Sequence, residues 1–295
     1  MNYVTLSNGL QLPQIGFGTF PLKGKQLTVA LRTAAANNYE LIDTAIGYGN
    51  HVTIGEAVGL NVLLDKCYIS TKIDGYTLRK MLLPRIFKRF ANNVKLSRFI
   101  DKGIIEKAIR NSFSELGRID ILLLHAPYTG CMKLYDSIMD LYEEKKIKAY
   151  GVSNFNIDEL KDLKQRSGAY PMINQIELSP YNSQKELVDF CNNNDIIVEA
   201  YSPFGRGNLV QEFMQNKDLQ KIGSNYGKTV GQVILRWVVQ QGLVAIVRSQ
   251  NADRIKENSQ LFDFQLSKSE MEQIDALNRN MVFGYNTIGK KTVKL

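Results

Sequence analysis

The chain has 295 residues, 44% hydrophobic and 22% charged, the balance of an ordinary globular protein long enough to bury a large core. Its formal charge of +8 is local: residues 79–110 hold ten basic and two acidic side chains, leaving 27 of each sign elsewhere, so nucleic acid is not the expected partner. Cys67, Cys131 and Cys191 stand far apart, which excludes a disulfide framework and metal-ligand spacing and points to a reducing compartment. The first five residues lack signal-peptide character and no apolar run reaches membrane-spanning length, so a cytoplasmic protein without membrane contact is expected.

In chain order, residues 3–7 and 10–14 flank Asn8-Gly9, which predicts a β-hairpin with a two-residue turn. Eight short apolar runs follow, at 15–19, 41–45, 68–73, 119–125, 149–154, 172–178, 196–202 and 244–249. Helical spacing fills intervals between them, at 26–38, 133–146, 157–167, 184–194 and 229–240. Alternating strand and helix predict a parallel sheet, and eight repeats in this length predict an α/β fold of the (β/α)8 TIM-barrel kind, one domain over 1–295 with the hairpin at its start. A doubly wound sheet is the alternative. Its glycine fingerprint is missing, because Gly16-Phe17-Gly18-Thr19-Phe20 has no third glycine in place.

The strands end in polar residues: Asp43, Lys72, His125, Ser153-Asn154, Asn174-Gln175, Tyr201-Ser202 and Arg248-Ser249. In a barrel these positions ring the C-terminal mouth, where active sites form. Singly, each has a bland reading: a cap, a satisfied core histidine, a solvated lysine. Together they predict a site. Asp43, Tyr48, Lys72 and His125 would face one another there. A phenol is a weak acid; an ammonium beside it favours the phenolate, and a buried carboxylate keeps that ammonium charged. Tyr48 could then protonate a carbonyl oxygen as hydride reaches the carbon, with His125 orienting the carbonyl. No metal cluster and no nucleophile elbow compete with this reading. Arg248, Ser249 and Arg254 supply an anion site at the last strand, where such barrels bind phosphate.

At these residues the sequence resembles the aldo-keto reductases, across nearly the whole chain. The resemblance is carried by Gly16-Phe17-Gly18-Thr19, Leu41-Ile42-Asp43-Thr44-Ala45 with Tyr48 and Asn50, Ser70-Thr71-Lys72, and Leu124-His125-Ala126-Pro127. It continues through Gly151-Val152-Ser153-Asn154-Phe155, Asn174-Gln175-Ile176-Glu177, Ala200-Tyr201-Ser202-Pro203 and Arg248-Ser249 to Leu277-Asn278-Arg279-Asn280. The resemblance implies an NADP-dependent oxidoreductase (EC 1.1.1.-) that reduces aldehydes and ketones. Tyr48 would be the general acid, Lys72 and Asp43 would tune it, and His125 and Phe20 would place the substrate. Tyr201 would stack on the nicotinamide of NADPH, and Ser153, Asn154 and Gln175 would bind its carboxamide. Thr19, Asp43 and Ser202 join the cofactor set. Arg248, Ser249 and Arg254 would hold the 2′-phosphate, with Glu257 and Asn258 near the adenine. The implied partner is a small aldehyde or ketone, and the family default is a monomer.

Several positions depart from the family pattern. Ala126 stands where a tryptophan is frequent, which removes a pocket wall; Ser179 and His51 replace a common His and Glu; Val247-Arg248 replaces Pro-Lys, and the arginine keeps the charge. Lys72 and His125 are 53 positions apart, farther than is usual, and the excess is the basic insertion at about 76–102. There Leu82, Leu83, Ile86, Phe87 and Phe90 form a helical apolar stripe, read as a helix packed on the barrel. A lid for acidic substrates and a docking site for an acidic partner are the functional alternatives. For the whole chain, a non-catalytic NADPH-binding regulatory subunit on the same barrel is the competing function.

Overall fold

The computed structural model describes residues 2–75, 77–78, 102–128 and 130–282. Two short strands, β1 (Tyr3–Thr5) and β2 (Gln11–Pro13), pair antiparallel, with Thr5 opposite Gln11. The loop between them differs from the two-residue turn expected. Gly9 N–H donates to Leu6 O and Leu6 N–H to Leu10 O, so Ser7-Asn8-Gly9 forms a three-residue loop with Gly9 at φ +87°. Asn8 is recruited elsewhere: its Oδ1 accepts from Leu10 N and its Nδ2 donates to Lys148 O, which ties the hairpin to the start of a barrel strand. Leu6 and Leu12 are buried beneath it, closing the N-terminal end of the barrel.

Eight parallel strands form the closed barrel: β3 (Ile15–Gly18), β4 (Leu41–Asp43), β5 (Tyr68–Ile73), β6 (Ile121–Leu124), β7 (Ala149–Ser153), β8 (Ile173–Glu177), β9 (Ile197–Tyr201) and β10 (Val244–Val247). Neighbours in sequence are neighbours in space, and closure comes from β10 on β3, with Ala245 opposite Ile15 and Val247 opposite Phe17. The strands read as continuous apolar runs because both faces are covered, by the packed interior and by the helices. All eight expected strands occur; β5 keeps its expected bounds and the others are shorter by one to three residues, at the mouth and, for β6, β8 and β9, at their starts as well.

The helices expected from spacing occur as α1 (Gly24–Ala36), α5 (Met132–Glu143), α6 (Ile157–Ser167), α7 (Lys185–Asn192) and α10 (Val230–Gln240). Helices α2 (His51–Gly59), α3 (Val62–Asp65), α4 (Lys102–Leu116), α8 (Asn208–Gln215), α9 (Lys217–Tyr226), α11 (Ala252–Ser259) and α12 (Lys268–Asp275) complete the outer layer among the described residues. Asn156 with Glu159, Thr229 with Gln232, and Ser267 with Glu270 form capping boxes that fix where α6, α10 and α12 begin. The apolar stripe and most of the basic insertion lie outside the described residues, apart from Thr77, Leu78 and Lys102, the last of which opens α4. No helix among the described residues is long and apolar enough to cross a membrane.

Asp120, just before β6, joins three strands at the lower rim. Its buried carboxylate accepts from Ile69 N at 2.8 Å and pairs with Arg118 at 3.3 Å and Lys148 at 2.8 Å. Asp120→Ala should strand the Ile69 N–H in the interior and lower stability by about 2 kcal/mol. A urea midpoint equal to that of the parent would refute this.

Candidate active site

Asp43, Lys72, Tyr48 and His125 meet at the C-terminal mouth, on β4, β5 and the segments that follow β4 and β6. Lys72 is fully buried, and its Nζ donates to Asp43 Oδ1 at 2.6 Å, Asp43 Oδ2 at 2.7 Å and Thr44 O at 2.9 Å. An ammonium has three donors, and these acceptors use all of them. Burial, the largest single influence, would lower the Lys72 ammonium, but Asp43, Tyr48 and Glu199 together outweigh it and hold Lys72 above its ordinary value. Thr19, itself fully buried, donates both its backbone N–H and its hydroxyl to Asp43 O, each at 3.0 Å. Its hydroxyl therefore helps to fix the end of β4 at Asp43.

Tyr48 ends a single 3-10 turn, Ile46–Tyr48. Its N–H donates to Ala45 O, and Gly49 stops the turn in the left-handed region. The turn is anchored from below, where Thr44 Oγ1 donates to Asn50 Oδ1 at 2.7 Å and Asn50 Nδ2 donates to Leu22 O. The Tyr48 ring centroid lies 5.6 Å from Lys72 Nζ, 4.9 Å from the ring of the exposed Phe20 and 6.1 Å from that of His125. The expected lowering of the phenol is corrected here. Burial dominates and pushes Tyr48 above its ordinary value, with Lys72 pulling the other way. Lys72 spends its hydrogen bonds on Asp43 and Thr44, so it acts on Tyr48 through space and offsets only part of the desolvation. The phenol keeps its proton.

His125 is partly exposed and held by backbone bonds: its N–H donates to Ile73 O, and Asn154 Nδ2 donates to its carbonyl. Its Nδ1 lies 3.2 Å from Asp74 Oδ2, a partner that the sequence reading missed. Asp74 is nearly buried. Burial would raise its carboxyl, but hydrogen bonds from His125 and Thr77 hold it below the usual carboxylate range. Ala126 is fully buried, so this position contributes no wall to the mouth.

Ser153, Asn154, Gln175, Tyr201 and Ser202 sit side by side at the ends of β7, β8 and β9. Tyr201 OH donates to Asn154 Oδ1 at 2.7 Å, and Asn154 stands at φ +65°. Ser153 Oγ donates to Gln175 O at 2.8 Å. Gln175 points inward, its Nε2 donating to Asp43 Oδ1 at 2.9 Å and to Glu199 Oε2 at 2.6 Å, so only its amide oxygen is uncommitted. Arg206, in the loop after β9, donates to Ser202 Oγ at 3.2 Å and lies 5.7 Å from the Tyr201 ring; the sequence reading missed it too.

Glu199 is the other residue missed. It is fully buried, its Oε1 has no hydrogen-bond partner, and burial with the charge of Asp43 pushes it up to about 7. A folded-state value above the ordinary 4.5 means that stability is greatest where Glu199 is protonated and declines as pH rises through about 7. Glu199→Gln should therefore match the parent in acid and exceed it at alkaline pH, by on the order of 3 kcal/mol. Parallel stability-versus-pH curves for the two proteins would contradict this.

Arg248 and Arg254 are exposed beside the N-terminus of α11, where Asn251 Oδ1 accepts from Arg254 N and Ser249 Oγ accepts from Asn251 N. Asn258 is buried one turn on, and the Glu257 carboxylate accepts from Thr229 Oγ1. Around Gly231, near the start of α10, a Cβ would meet Thr229 Oγ1, Phe204 Cζ and Asn258 Oδ1 at ordinary contact distances of 3.7–3.9 Å, so these three groups come together there. No cluster of three or more metal-ligating residues occurs among the described residues. A depression lined by Thr5, Leu6, Ser7, Asn192 and Asp195 lies at the other end of the barrel, away from this chemistry.

Residues 14–279 match the sequence model of the aldo/keto reductase family. The chain is 38% identical over 286 residues to the uncharacterized oxidoreductase YtbE of Bacillus subtilis, covering 95% of this chain and 94% of that protein. It is 34% identical over 290 residues to the glyoxal reductase of the same organism, covering 96% and 95%. Its fold is similar to the crystal structure of an aldo-keto reductase complexed with NADPH, with a TM-score of 0.81, 28% identity and coverage of 95% and 88%.

Proposed function

This chain belongs to the aldo/keto reductase family of oxidoreductases, and from that premise we propose that it is an NADPH-dependent reductase of small aldehydes and ketones with Tyr48 as the general acid. The observation that carries the reading is the buried Asp43–Lys72 pair beside a phenol that keeps its proton. NADPH, when bound, would supply hydride to the carbonyl carbon. Tyr48 gives its proton to the carbonyl oxygen, and Lys72 stabilises the phenolate as it forms. His125 and Phe20 orient the carbonyl.

The residues present fit the cofactor. The Tyr201 ring and the Gln175 amide oxygen, beside the Ser153 and Asn154 side chains, offer a stacking face and an acceptor for the amide N–H of a nicotinamide carboxamide. Asn258 and Glu257, beside Phe204 and Gly231, suit an adenine. Arg248, Ser249 and Arg254 at the start of α11 suit a 2′-phosphate. That arginine pair favours NADPH over NADH.

The test is a panel of aldehydes and ketones run with NADPH and with NADH, following the nicotinamide absorbance. Consumption of NADPH well ahead of NADH is expected. Tight NADPH binding without turnover on any carbonyl would favour the regulatory-subunit reading instead.

A further inference from the structure

Asp74 stands just past β5 and has no part in the chemistry proposed above. We propose that Asp74 is a positioning residue for His125: it claims the Nδ1 proton, so the ring can donate through Nε2 only when doubly protonated. This rests on the reductase reading for its catalytic consequence, but not for the geometry itself.

The carboxylate is held from several sides. Thr77 N donates to Oδ1 at 2.6 Å, Thr77 Oγ1 donates to Oδ2 at 2.9 Å, and Leu78 N donates to the Asp74 carbonyl. A Cβ at Gly75 would come within 2.8 Å of the Tyr128 ring, so that ring lies flush against the backbone beside Asp74. His125 is equally fixed, through its backbone bonds to Ile73 and Asn154. The two side chains therefore meet at 3.2 Å with little room to separate. An ionised carboxylate only accepts hydrogen bonds, so Nδ1 must carry the proton at this contact. A neutral ring then presents a lone pair at Nε2, which repels a carbonyl oxygen. The imidazolium presents an N–H there, which attracts it.

Asp74 meets this ring at 3.2 Å, Tyr48 faces it across the mouth with the Lys72–Asp43 pair behind, Arg206 from the loop after β9 acts on Tyr48, and the Tyr128 ring lies beside Asp74 at Gly75. During reduction His125 neither gains nor loses a proton. The proton on the product oxygen is that of Tyr48, and His125 only holds the carbonyl. Asp74 therefore bears on how the carbonyl is held, not on the proton that Tyr48 delivers.

A plain turn-capping role for Asp74 is separable from this one. Asn caps as well as Asp and preserves the bond from Thr77 N, but its amide can turn an N–H toward Nδ1 and release the proton to Nε2. The chain has two histidines, and burial holds the other, His51, down at about 4, so it remains a neutral reference. In ¹⁵N-histidine spectra of the full chain, neutral His125 should carry its proton on Nδ1, in Asp74→Asn on Nε2, and in Thr77→Ala on Nδ1 still. A parent ring protonated on Nε2 overturns the proposal, and so does an Asp74→Asn ring that keeps the parent tautomer. If the tautomer switches but the parent reduces nothing in the carbonyl panel, the reductase reading falls and the Asp74–His125 assignment stands.

Discussion

Tyr48→Phe is expected to lose about 10³-fold in kcat while NADPH binding changes little. The substitution removes one oxygen and leaves the ring, which packs against Phe20 and faces His125, so the shape of the mouth is retained. What disappears is the proton that has to reach the carbonyl oxygen. Lys72 and Tyr201 are committed, Lys72 donating to Asp43 and Thr44 and Tyr201 to Asn154, and His125 in this reading holds the carbonyl without giving up a proton. Burial raises the Tyr48 phenol, so the acid is present in its useful form through the neutral range, and Lys72 acts when negative charge develops in the transition state. Single-turnover kinetics with NADPH fluorescence separate binding from chemistry. A variant that keeps kcat within tenfold of the parent would remove Tyr48 from the mechanism.

The barrel was legible because its signal is repeated. Eight apolar runs with polar ends, spaced by helical segments, admit few architectures. Asp43, Lys72 and His125 were legible for the same reason: a charged residue closing an apolar strand has to face either solvent or a site. The residues missed had local explanations that hid their long-range ones. Asp74 before Gly75 reads as a turn, and its partner His125 is 51 positions away. Arg206 lies between Gly205 and Gly207 and reads as a solvated loop, whereas it reaches back over Tyr201. Glu199 did leave a signal, since a carboxylate inside the run Ile197-Val198-Glu199-Ala200 has no solvent to turn to. The direction of the Tyr48 shift was not legible, because it depends on a balance between burial and a charge already shared with Asp43, and only geometry sets that balance. The hairpin was read correctly from Asn8-Gly9, but the loop length depends on Asn8 bonding to Lys148, 140 residues away.

Removing the ammonium tests both stability and catalysis. Lys72→Met leaves the Asp43 carboxylate buried, with the Gln175 amide and no cation, and should cost about 3–5 kcal/mol. In the parent, Lys72 is held above its ordinary 10.5, so the stability it contributes is complete at neutral pH and is lost only as pH climbs beyond that value. The single variant should therefore be much weaker than the parent at pH 7, and the gap should narrow in strong alkali. Adding Asp43→Asn removes the stranded charge, so the double variant should recover most of the lost stability, because a buried ion pair replaced as a unit costs far less than one broken in half. Activity should not return, since neither residue is left to stabilise the Tyr48 phenolate. Urea midpoints and turnover measured on the same preparations decide the matter. A stable double variant that also regains turnover would mean that Lys72 serves the fold alone, and the proton chemistry assigned to Tyr48 would need another source of positive charge.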